Sequence, residues 1–347
     1  MKNVDFLIIG QGIAGTVLAE TLIQRGKKVH VIDDGHLNSS SMVAAGMWNP
    51  VVFKRLSKSW EIDQCIEEAF PFYKALEKKL GTPFFHIKRL VRIFPDQHAA
   101  NEFDEKSDSP EYKAYLNSND RANIVLTEQP FGHGIVEKAG WCNLPVVLNN
   151  YREYLNTIDS FSFDRFNENE LLHGESGWIY KDIHAEHVLI CTGSKMKESK
   201  FFGDLPLVPN KGQVLTIQLH HYTMPELINF GNFLLPIGSG FYRLGATYDL
   251  EDPNPEPTIE GKEALLDSLR EVVPAVAQVV EHKAGYRPTT RDRRPLIGSH
   301  PTLKGIHVFN GLGSKGVIQA PHCAKAFTDF IIDGQTLSKE MNITRLK

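Results

Sequence analysis

Three glycines near the start of the chain and two adjacent carboxylates have the types and spacing that bind a dinucleotide. Gly10, Gly12 and Gly15 form a G-x-G-x-x-G pattern, in which small residues permit a tight turn and a close approach of backbone to pyrophosphate. Asp33 lies 18 residues after Gly15, at the distance where a carboxylate accepts hydrogen bonds from ribose hydroxyls. Asp34 is an alternative, and Asp33 is preferred because it directly ends an apolar alternation.

The elements that must position these residues form one β–α–β unit. An apolar strand over 4–9 leads into the turn, a helix with apolar spacing covers 16–25, and a second buried strand covers 29–33. Ile13 and Ala14 stand at the start of the helix, whose free N–H groups favour a phosphate. The alternative interpretation is a glycine-rich strand-to-helix turn without a ligand.

A segment rich in small residues, 35–50, follows where a nicotinamide-binding domain would continue its regular strand–helix alternation. Small side chains let backbone lie close against a flat or extended ligand. An ordinary flexible loop is the alternative, but the stretch MVAAGMW is too apolar to be freely solvated. The candidate cofactor contacts in this segment are Ser40, Ser41, Ala45, Gly46 and Met47.

The glycine pattern followed by SSSMVAAGM resembles the D-amino-acid oxidase/glycine oxidase superfamily of FAD-dependent oxidoreductases. Three later stretches are similar to the same family: HVLICTG (187–193), GYRPTTRDRRPLIG (285–298) and VFNGLGSKGVIQAP (308–321). The resemblance implies bound FAD, with Thr192 and Gly193 ending the strand that returns to the cofactor domain. Trp48 and Asn49 are candidates for lining the flavin ring. The region 95–140 matches the family poorly.

The resemblance also implies an α/β fold, with a Rossmann-like FAD-binding domain and a mixed-sheet α+β substrate domain that are both discontinuous in sequence. The FAD-binding domain is expected over 1–84, 140–212 and 285–347, and the substrate domain over 85–139 and 213–284. The residue pattern itself predicts helices over 60–81 (interrupted at Pro71), 144–158, 258–278 and 316–334, and strands over 88–94, 211–219, 232–238 and 242–248.

Hydride transfer from a substrate carbon to a flavin needs few protein acids or bases, so a substrate clamp is the expected catalytic feature. In the resembled oxidases, the arginine of the GYRP block pairs with the substrate carboxylate, which implies this role for Arg287. A planar guanidinium matches a carboxylate fork better than lysine does. The alternative is a surface arginine, since Arg291, Arg293 and Arg294 crowd the same segment.

Two aromatic residues, Tyr248 and Phe233, are candidates for the wall of the substrate site, with placement in the core as the alternative. Glycine oxidases that resemble this chain tend to carry tyrosine at the position of Phe233. The missing hydroxyl puts glycine itself in doubt and favours a less polar or differently held substrate.

A glycine-rich helix start near the C-terminus is the second feature expected at the flavin. In the resembled family this helix start faces the pyrimidine edge of the flavin, where negative charge grows on reduction and backbone N–H groups stabilise it. The candidate residues are Gly311, Gly313, Ser314, Lys315, Gly316 and Val317. A helix-opening loop without a ligand is the alternative.

The leading functional prediction is an FAD-dependent oxidoreductase, an oxidase or dehydrogenase, that oxidises a C–N bond of a small amino acid or secondary amine. The stretches TRD, PLIG and GLGSKG are also similar to the FAD domain of tRNA wobble-uridine modifying enzymes. An N-carboxymethylated modified nucleoside is therefore an alternative substrate. A non-catalytic FAD-binding protein is a further alternative.

Composition limits the other partners. The net charge of −4 makes nucleic acid unlikely as a partner, and no apolar run is long enough for a transmembrane helix. The isolated cysteines and histidines form no metal-binding motif, so no metal is expected. Four scattered cysteines suggest a reducing compartment, and a cytoplasmic location is expected. The oligomeric state is open.

Overall fold

The structure, a computed structural model, describes residues 1–346 apart from 36, 121, 123–126, 128 and 221. In chain order the helices are α1 Ile13–Gln24, α2 Ser40–Val43, α3 Ile62–Leu80, α4 Gln97–Ser107, α5 Leu144–Thr157, α6 Ile259–Arg270 and α7 Gly316–Asp333. The strands are β1 Lys2–Ile9, β2 Val29–Asp33, β3 Met47–Trp48, β4 Val51–Val52, β5 Ser57–Lys58, β6 Phe85–Ile93, β7 Leu116–Asn117, β8 His133–Cys142, β9 Phe161–Phe163, β10 Leu171–Gly174, β11 Gly177–Tyr180, β12 Ile183–Ile190, β13 Leu207–Leu219, β14 Leu227–Asn229, β15 Phe233–Gly238, β16 Phe241–Gly245, β17 Ala277–Thr290, β18 Leu296–Ser299 and β19 Ile306–Asn310.

The first sheet is built around β1. Its strand order is β10-β11-β12-β1-β2-β9, with β19 also paired to β12 and β18 paired to β19. β12, β1, β2 and β9 run parallel, as does β19 beside β12. Phe6 and Ile8 pack in a core with α1, α3, α5 and α7, whereas Leu7 and Ile9 pack on the opposite face with β11, β12, β18 and β19. Burial on both faces explains the continuous apolar run that predicts this strand.

The second sheet is mixed, with the order β17-β13-β16-β15-β14-β6-β8-β3 and β7 paired to β8. β14 and β6 are parallel, and the other neighbours are antiparallel. The helix α6 covers one face, since Leu265 and Leu269 share a core with Leu215 and Leu244. The predicted α/β class is confirmed, and the domain limits stay a prediction.

Two helices differ from their predicted extents. α3 continues through Pro71, although proline removes a backbone hydrogen bond from a helix interior. Tyr73, two residues beyond it, is fully buried, and tertiary packing of the apolar face stabilises the helix across the missing bond. α6 ends at Arg270, well before the predicted end at 278, because Pro274 biases the residue before it towards extended backbone, and β17 follows.

Across the described residues, each helix is too short or too polar to cross a membrane.

Candidate active site

Four turns meet at the carboxyl ends of β1, β2, β12 and β19, and a first cavity of about 710 Å³ lies among them. Open α/β sheets bind their ligands at this edge, outside the carboxyl ends of parallel strands. The lining includes many of the residues predicted as cofactor contacts: Gly10, Gly12, Ile13, Ala14, Asp33, Asp34, Ser40, Ser41, Thr192, Gly193, Gly313 and Gly316.

The glycine turn is packed too tightly for side chains. Gly10 has a φ of +99°, and a Cβ added there would lie 2.7 Å from the carbonyl oxygen of Cys191. A Cβ on Gly15 would lie 1.9 Å from the carbonyl oxygen of Gly10, so the absence of a side chain at Gly15 allows α1 to pack on the strand. Gly15 itself does not line either of the described cavities. The N-cap of α1 is Gly12, which offers no side-chain cap, and the N–H of Ile13 donates to the Oγ of Ser41 at 3.1 Å; the next N–H groups of the first turn remain for a ligand.

Both predicted carboxylates lie at the first cavity, and each has partners. Asp33 accepts hydrogen bonds from the backbone N–H of Gln11 at 2.7 Å and of Gly35 at 2.8 Å. Arg152, on α5, lies 3.3 Å from Asp33. Asp34 pairs instead with Lys195 at 3.1 Å. Asp33 is therefore held by the glycine turn itself, whereas Asp34 is held by a lysine from the turn after β12.

A buried hydroxyl at the same cavity has no partner. The Oγ1 atom of Thr192 is shielded from solvent and makes no hydrogen bond to any described residue. Unpaired buried hydroxyl groups are costly, and a ligand that offers an acceptor would remove the cost. Gly193, with a φ of +56°, follows directly and lines the same cavity.

A second cavity of about 320 Å³ continues from the first. The two share Ile13, Ser40, Ser41, Gly313 and Gly316, so they form one long crevice. The second cavity lies against β13, β16 and β17 and the start of α7. Its lining includes the predicted residues Ala45, Gly46, Met47, Asn49, Phe233, Tyr248, Arg287, Ser314, Lys315 and Val317.

Arg287 lies in the second cavity without a carboxylate partner among the described residues. Its Nη1 donates to the amide oxygen of Asn210 at 2.6 Å, and its Nη2 donates to the carbonyl oxygen of Thr247 at 3.2 Å. Desolvation by burial lowers the pKa of Arg287. The guanidinium is thus oriented by neutral acceptors, which leave its charge uncompensated.

Gly212 makes room for that guanidinium. A Cβ added at Gly212 would lie 2.1 Å from Nη2, 2.4 Å from Cζ and 2.5 Å from Nη1 of Arg287. Asn210 itself is fully buried on β13 and donates to the carbonyl oxygen of Asp249. The strand β13 therefore contributes both the side chain that accepts a hydrogen bond from Arg287 and the glycine surface on which the guanidinium lies.

The two aromatic candidates occupy different environments. Tyr248 is 56% exposed, so it is not a core residue, and its ring centroid lies 5.9 Å from the Cζ atom of Arg287. Phe233 is partly buried, and its ring closes on Gly245, where a Cβ would lie 2.8 Å from the ring. Both line the second cavity, which gives it one exposed aromatic surface and one packed aromatic surface.

Lys315 reaches across the crevice to the segment before β4. Its Nζ donates to the backbone carbonyl oxygen of Asn49 at 2.8 Å and lies 3.2 Å from the side-chain oxygen. Burial lowers the pKa of Lys315 to about 8. Lys315 is also the N-cap of α7 and provides no side-chain cap, so the helix dipole and the ammonium act at the same place.

Two other predicted residues lie off both cavities in the described part of the chain. A Cβ on Gly311 would lie 2.8 Å from the backbone nitrogen of Leu296, so this glycine permits a close backbone approach. Trp48 is buried and stacks on Phe85 with ring centroids 5.5 Å apart, in the core and not on the cavity wall.

Several lining and supporting residues have no counterpart among the sequence-derived candidates: Gln11, Arg152, Asn210, Gly212 and Arg293. Where these residues have partners, the partners are distant in sequence, as in the 2.7 Å hydrogen bond from Arg152 to the side chain of Gln11. The described residues contain no cluster of three potential metal ligands, and all four cysteines are free and buried.

The glycine turn and the long crevice at the carboxyl ends of parallel strands are typical of a dinucleotide-binding protein, and the guanidinium of Arg287 lies at the far end of the crevice. Residues 5–330 match the DAO family, described as FAD dependent oxidoreductase, and the chain belongs to this family. The predicted FAD cofactor and the predicted oxidoreductase class are therefore confirmed. Membership of an enzyme family also disfavours the alternative of a non-catalytic FAD-binding protein.

Two relatives and one solved structure show the range of this similarity. The chain is 30% identical over 354 residues to glycine oxidase of Pseudomonas aeruginosa, with 94% of each protein covered. It is 26% identical over 351 residues to the tRNA 5-methylaminomethyl-2-thiouridine biosynthesis bifunctional protein MnmC of Marinobacter nauticus, covering 94% of this chain. The chain spans about half the length of that relative, 55%. Glycine oxidase from Bacillus cereus has the same fold, with a TM-score of 0.77, 22% identity and 96% of both chains covered.

Proposed function

We propose that the protein oxidises a C–N bond of a small amino acid or secondary amine that carries a carboxylate, by hydride transfer to FAD. The observation that carries this proposal is the guanidinium of Arg287, which lies in a cavity without any acidic lining residue among those described. A substrate carboxylate would supply the missing negative charge and accept two parallel hydrogen bonds from this arginine.

The residues of the crevice fit FAD in two parts. The start of α1, Asp33 and the unpaired hydroxyl of Thr192 would hold the adenosine and pyrophosphate in the first cavity. The start of α7 and Lys315 would hold the flavin in the second cavity, next to Arg287. Each of these contacts is a donor or acceptor that the described protein leaves open or only partly used.

When bound, FAD supplies the acceptor for the hydride that leaves the substrate carbon. The protein's part is to bind, orient and shield the substrate. Arg287 would bind the carboxylate, and Phe233 and Tyr248 would limit the space around the amine substituent and exclude water. The positive charge of Lys315 and the N-terminus of α7 would stabilise negative charge at the opposite side of the cavity.

A second candidate substrate is an N-carboxymethylated modified nucleoside. The relative from Marinobacter nauticus, whose name refers to tRNA biosynthesis, supports it over 94% of this chain. Both candidates contain an amine nitrogen joined to a carbon that carries a carboxylate, so Arg287 would bind them in the same way. The nucleoside requires, in addition, space for a uracil ring beyond the amine.

An anaerobic reduction assay tests the proposal. The purified flavoprotein is mixed with sarcosine, N-propylglycine, D- and L-amino acids, matched amines without a carboxylate, and carboxymethylaminomethyl-uridine, and loss of the flavin absorbance is followed. We expect bleaching by one carboxylate-bearing class. The variant Arg287→Ala should retain its FAD and need about 100-fold more substrate, since hydrogen bonds to charged groups contribute about 1.5–3 kcal/mol.

Arg291→Ala provides the matched control, because Arg291 is exposed and lies in the same segment without lining the described cavities. Equal bleaching by amines with and without a carboxylate would refute the proposal, as would an Arg287→Ala protein with unchanged substrate dependence.

A further inference from the structure

The second cavity is lined by three cationic side chains, one more than the two assigned above to the substrate carboxylate and the flavin. Its charged lining residues are Arg287, Arg293 and Lys315, and no aspartate or glutamate lines it among the described residues. Arg287 is assigned to the substrate carboxylate. Lys315, the N-cap of α7, donates to Asn49 and is assigned above to the flavin. One cation, Arg293, is left over.

The neighbours of Arg293 are already paired with other residues. Asp292, the adjacent acid, pairs with Arg345 at 2.8 Å, and Arg294 pairs with Glu340 at 2.7 Å. The side chain of Arg293 makes no hydrogen bond or ion pair with a described residue and is exposed at the cavity. Its charge is therefore free for a ligand.

The backbone holds Arg293 at this place. Its φ of +56° lies in the left-handed region, which non-glycine residues rarely adopt. Its N–H donates to the carbonyl oxygen of Thr290 at 3.2 Å, which closes the turn between β17 and β18. Asp292 accepts from the N–H of Arg294 in the same turn. A local strain of this kind persists where the surrounding structure determines the turn, and here the turn directs an arginine to the cavity.

We propose that the substrate carries a second anionic group and that Arg293 binds it, while Arg287 binds the first carboxylate. This inference rests on the proposed function and narrows its substrate class. The class is an N-substituted glycine whose substituent on nitrogen ends in a carboxylate or carries a phosphate. Arg293 acts as a specificity-determining residue, because an anion at the mouth of an acid-free cavity gains from its charge, and an apolar substituent does not.

Matched substrate pairs test the inference. The carboxylate pair is iminodiacetate and N-propylglycine, which differ in one charge at the end of the substituent. The phosphate pair is carboxymethylaminomethyl-uridine with and without a 5′-phosphate. For each pair, kcat/KM is measured by flavin reduction in the wild-type protein, in Arg293→Gln and in the control Arg291→Gln. Flavin content is measured in every sample.

We expect that, for one pair, kcat/KM in the wild-type protein is about tenfold higher for the member that carries the second anionic group, which corresponds to roughly 1.4 kcal/mol. Arg293→Gln should reduce that preference to within about twofold, and Arg291→Gln should preserve it. The wild-type preference should also decline as salt is raised from low ionic strength, because an exposed cation is screened. This salt series needs no variant, so a preference that does not decline with salt would overturn the inference even if Arg293→Gln loses its flavin.

The outcomes separate the possibilities. A preference confined to the carboxylate pair identifies a dicarboxylate, and one confined to the phosphate pair identifies a nucleotide. Equal kcat/KM within both pairs overturns the inference while leaving the proposed function intact, and so does a preference that survives Arg293→Gln. Failure of every compound to reduce the flavin overturns the proposed function, and the inference with it.

Discussion

The substitution Gly212→Ala is expected to weaken substrate binding although it adds only one methyl group and touches no substrate. The added Cβ would lie 2.1–2.5 Å from three atoms of the Arg287 guanidinium, where ordinary contacts are 3.4–4 Å. The guanidinium must therefore move by about 1 Å or more, a displacement that is enough to disturb a positioned group. The backbone of Gly212 does not have a positive φ, so alanine is compatible with the strand itself.

The expected magnitude follows from the contacts that this displacement disturbs. Moving Arg287 breaks its 2.6 Å hydrogen bond to Asn210 and misaligns the fork that would meet a carboxylate. Hydrogen bonds to charged groups contribute about 1.5–3 kcal/mol, and a loss of about 2 kcal/mol corresponds to a roughly 30-fold increase in KM. The FAD content should not change, because the proposed contacts to adenosine and pyrophosphate lie in the first cavity, which Gly212 does not line, and the displaced guanidinium is assigned to the substrate.

The assay measures KM and kcat by flavin reduction, and the flavin-to-protein absorbance ratio for each variant. Gly174→Ala is the control, since this strand glycine of β10 has ordinary backbone angles and its added Cβ would lie 3.3 Å from Ile179, away from both cavities. The double variant Gly212→Ala/Arg287→Ala should be no worse than Arg287→Ala alone, because the two changes act on one contact. Additive losses, or an unchanged KM in Gly212→Ala, would refute the reasoning.

The remaining predictions concern the cofactor and stability. Asp33→Ala should lower the fraction of purified protein that retains FAD, because this carboxylate, held by the N–H of Gln11, is the one proposed to bind the adenosine part of FAD. Asp34→Ala removes only the pairing to Lys195, and that variant should retain its FAD. Burial lowers the pKa of His307 to about 3 from an ordinary value of 6.5, so the unfolded chain binds a proton that the folded protein does not. The free energy of unfolding should therefore fall as the pH is lowered from 6.5 towards 3, and His307→Gln should reduce that fall in urea titrations; equal slopes would contradict this.

The parts of the fold that sequence reasoning predicts are those specified within short stretches. The β–α–β unit around Gly10 places two strands, a turn and a helix within about 30 residues, and the strands and the helix each show their own hydrophobic pattern in the sequence. Its boundaries agree with β1, α1 and β2 to within a few residues. The extents of α3 and α6 were less predictable, because the effect of a proline depends on whether tertiary packing compensates for it.

The site was predictable only in part, because its supporting contacts join distant segments. Arg287 was found through the resemblance of its block to a family, whereas its partner Asn210 lies 77 residues away on another strand. Gln11 and Arg152 are 141 residues apart. The sequence pattern around a polar residue in a strand does not indicate which distant residue it will contact, so pairs of this kind are seen only in the three-dimensional structure.

The two halves of the crevice are built in different ways, and this difference bears on how specificity can change. The first cavity depends on backbone geometry, in which Gly10 and Gly15 leave no space for side chains. The second depends on charges supplied by β17 and the turn that follows it, where Arg287 and Arg293 lie. Under the proposed roles of these arginines, replacing a charge there should change which substrate is bound without disturbing the glycine turn. A single FAD-binding scaffold can therefore serve substrates of different size and charge, and the arginines of the second cavity are where the discrimination should be measured.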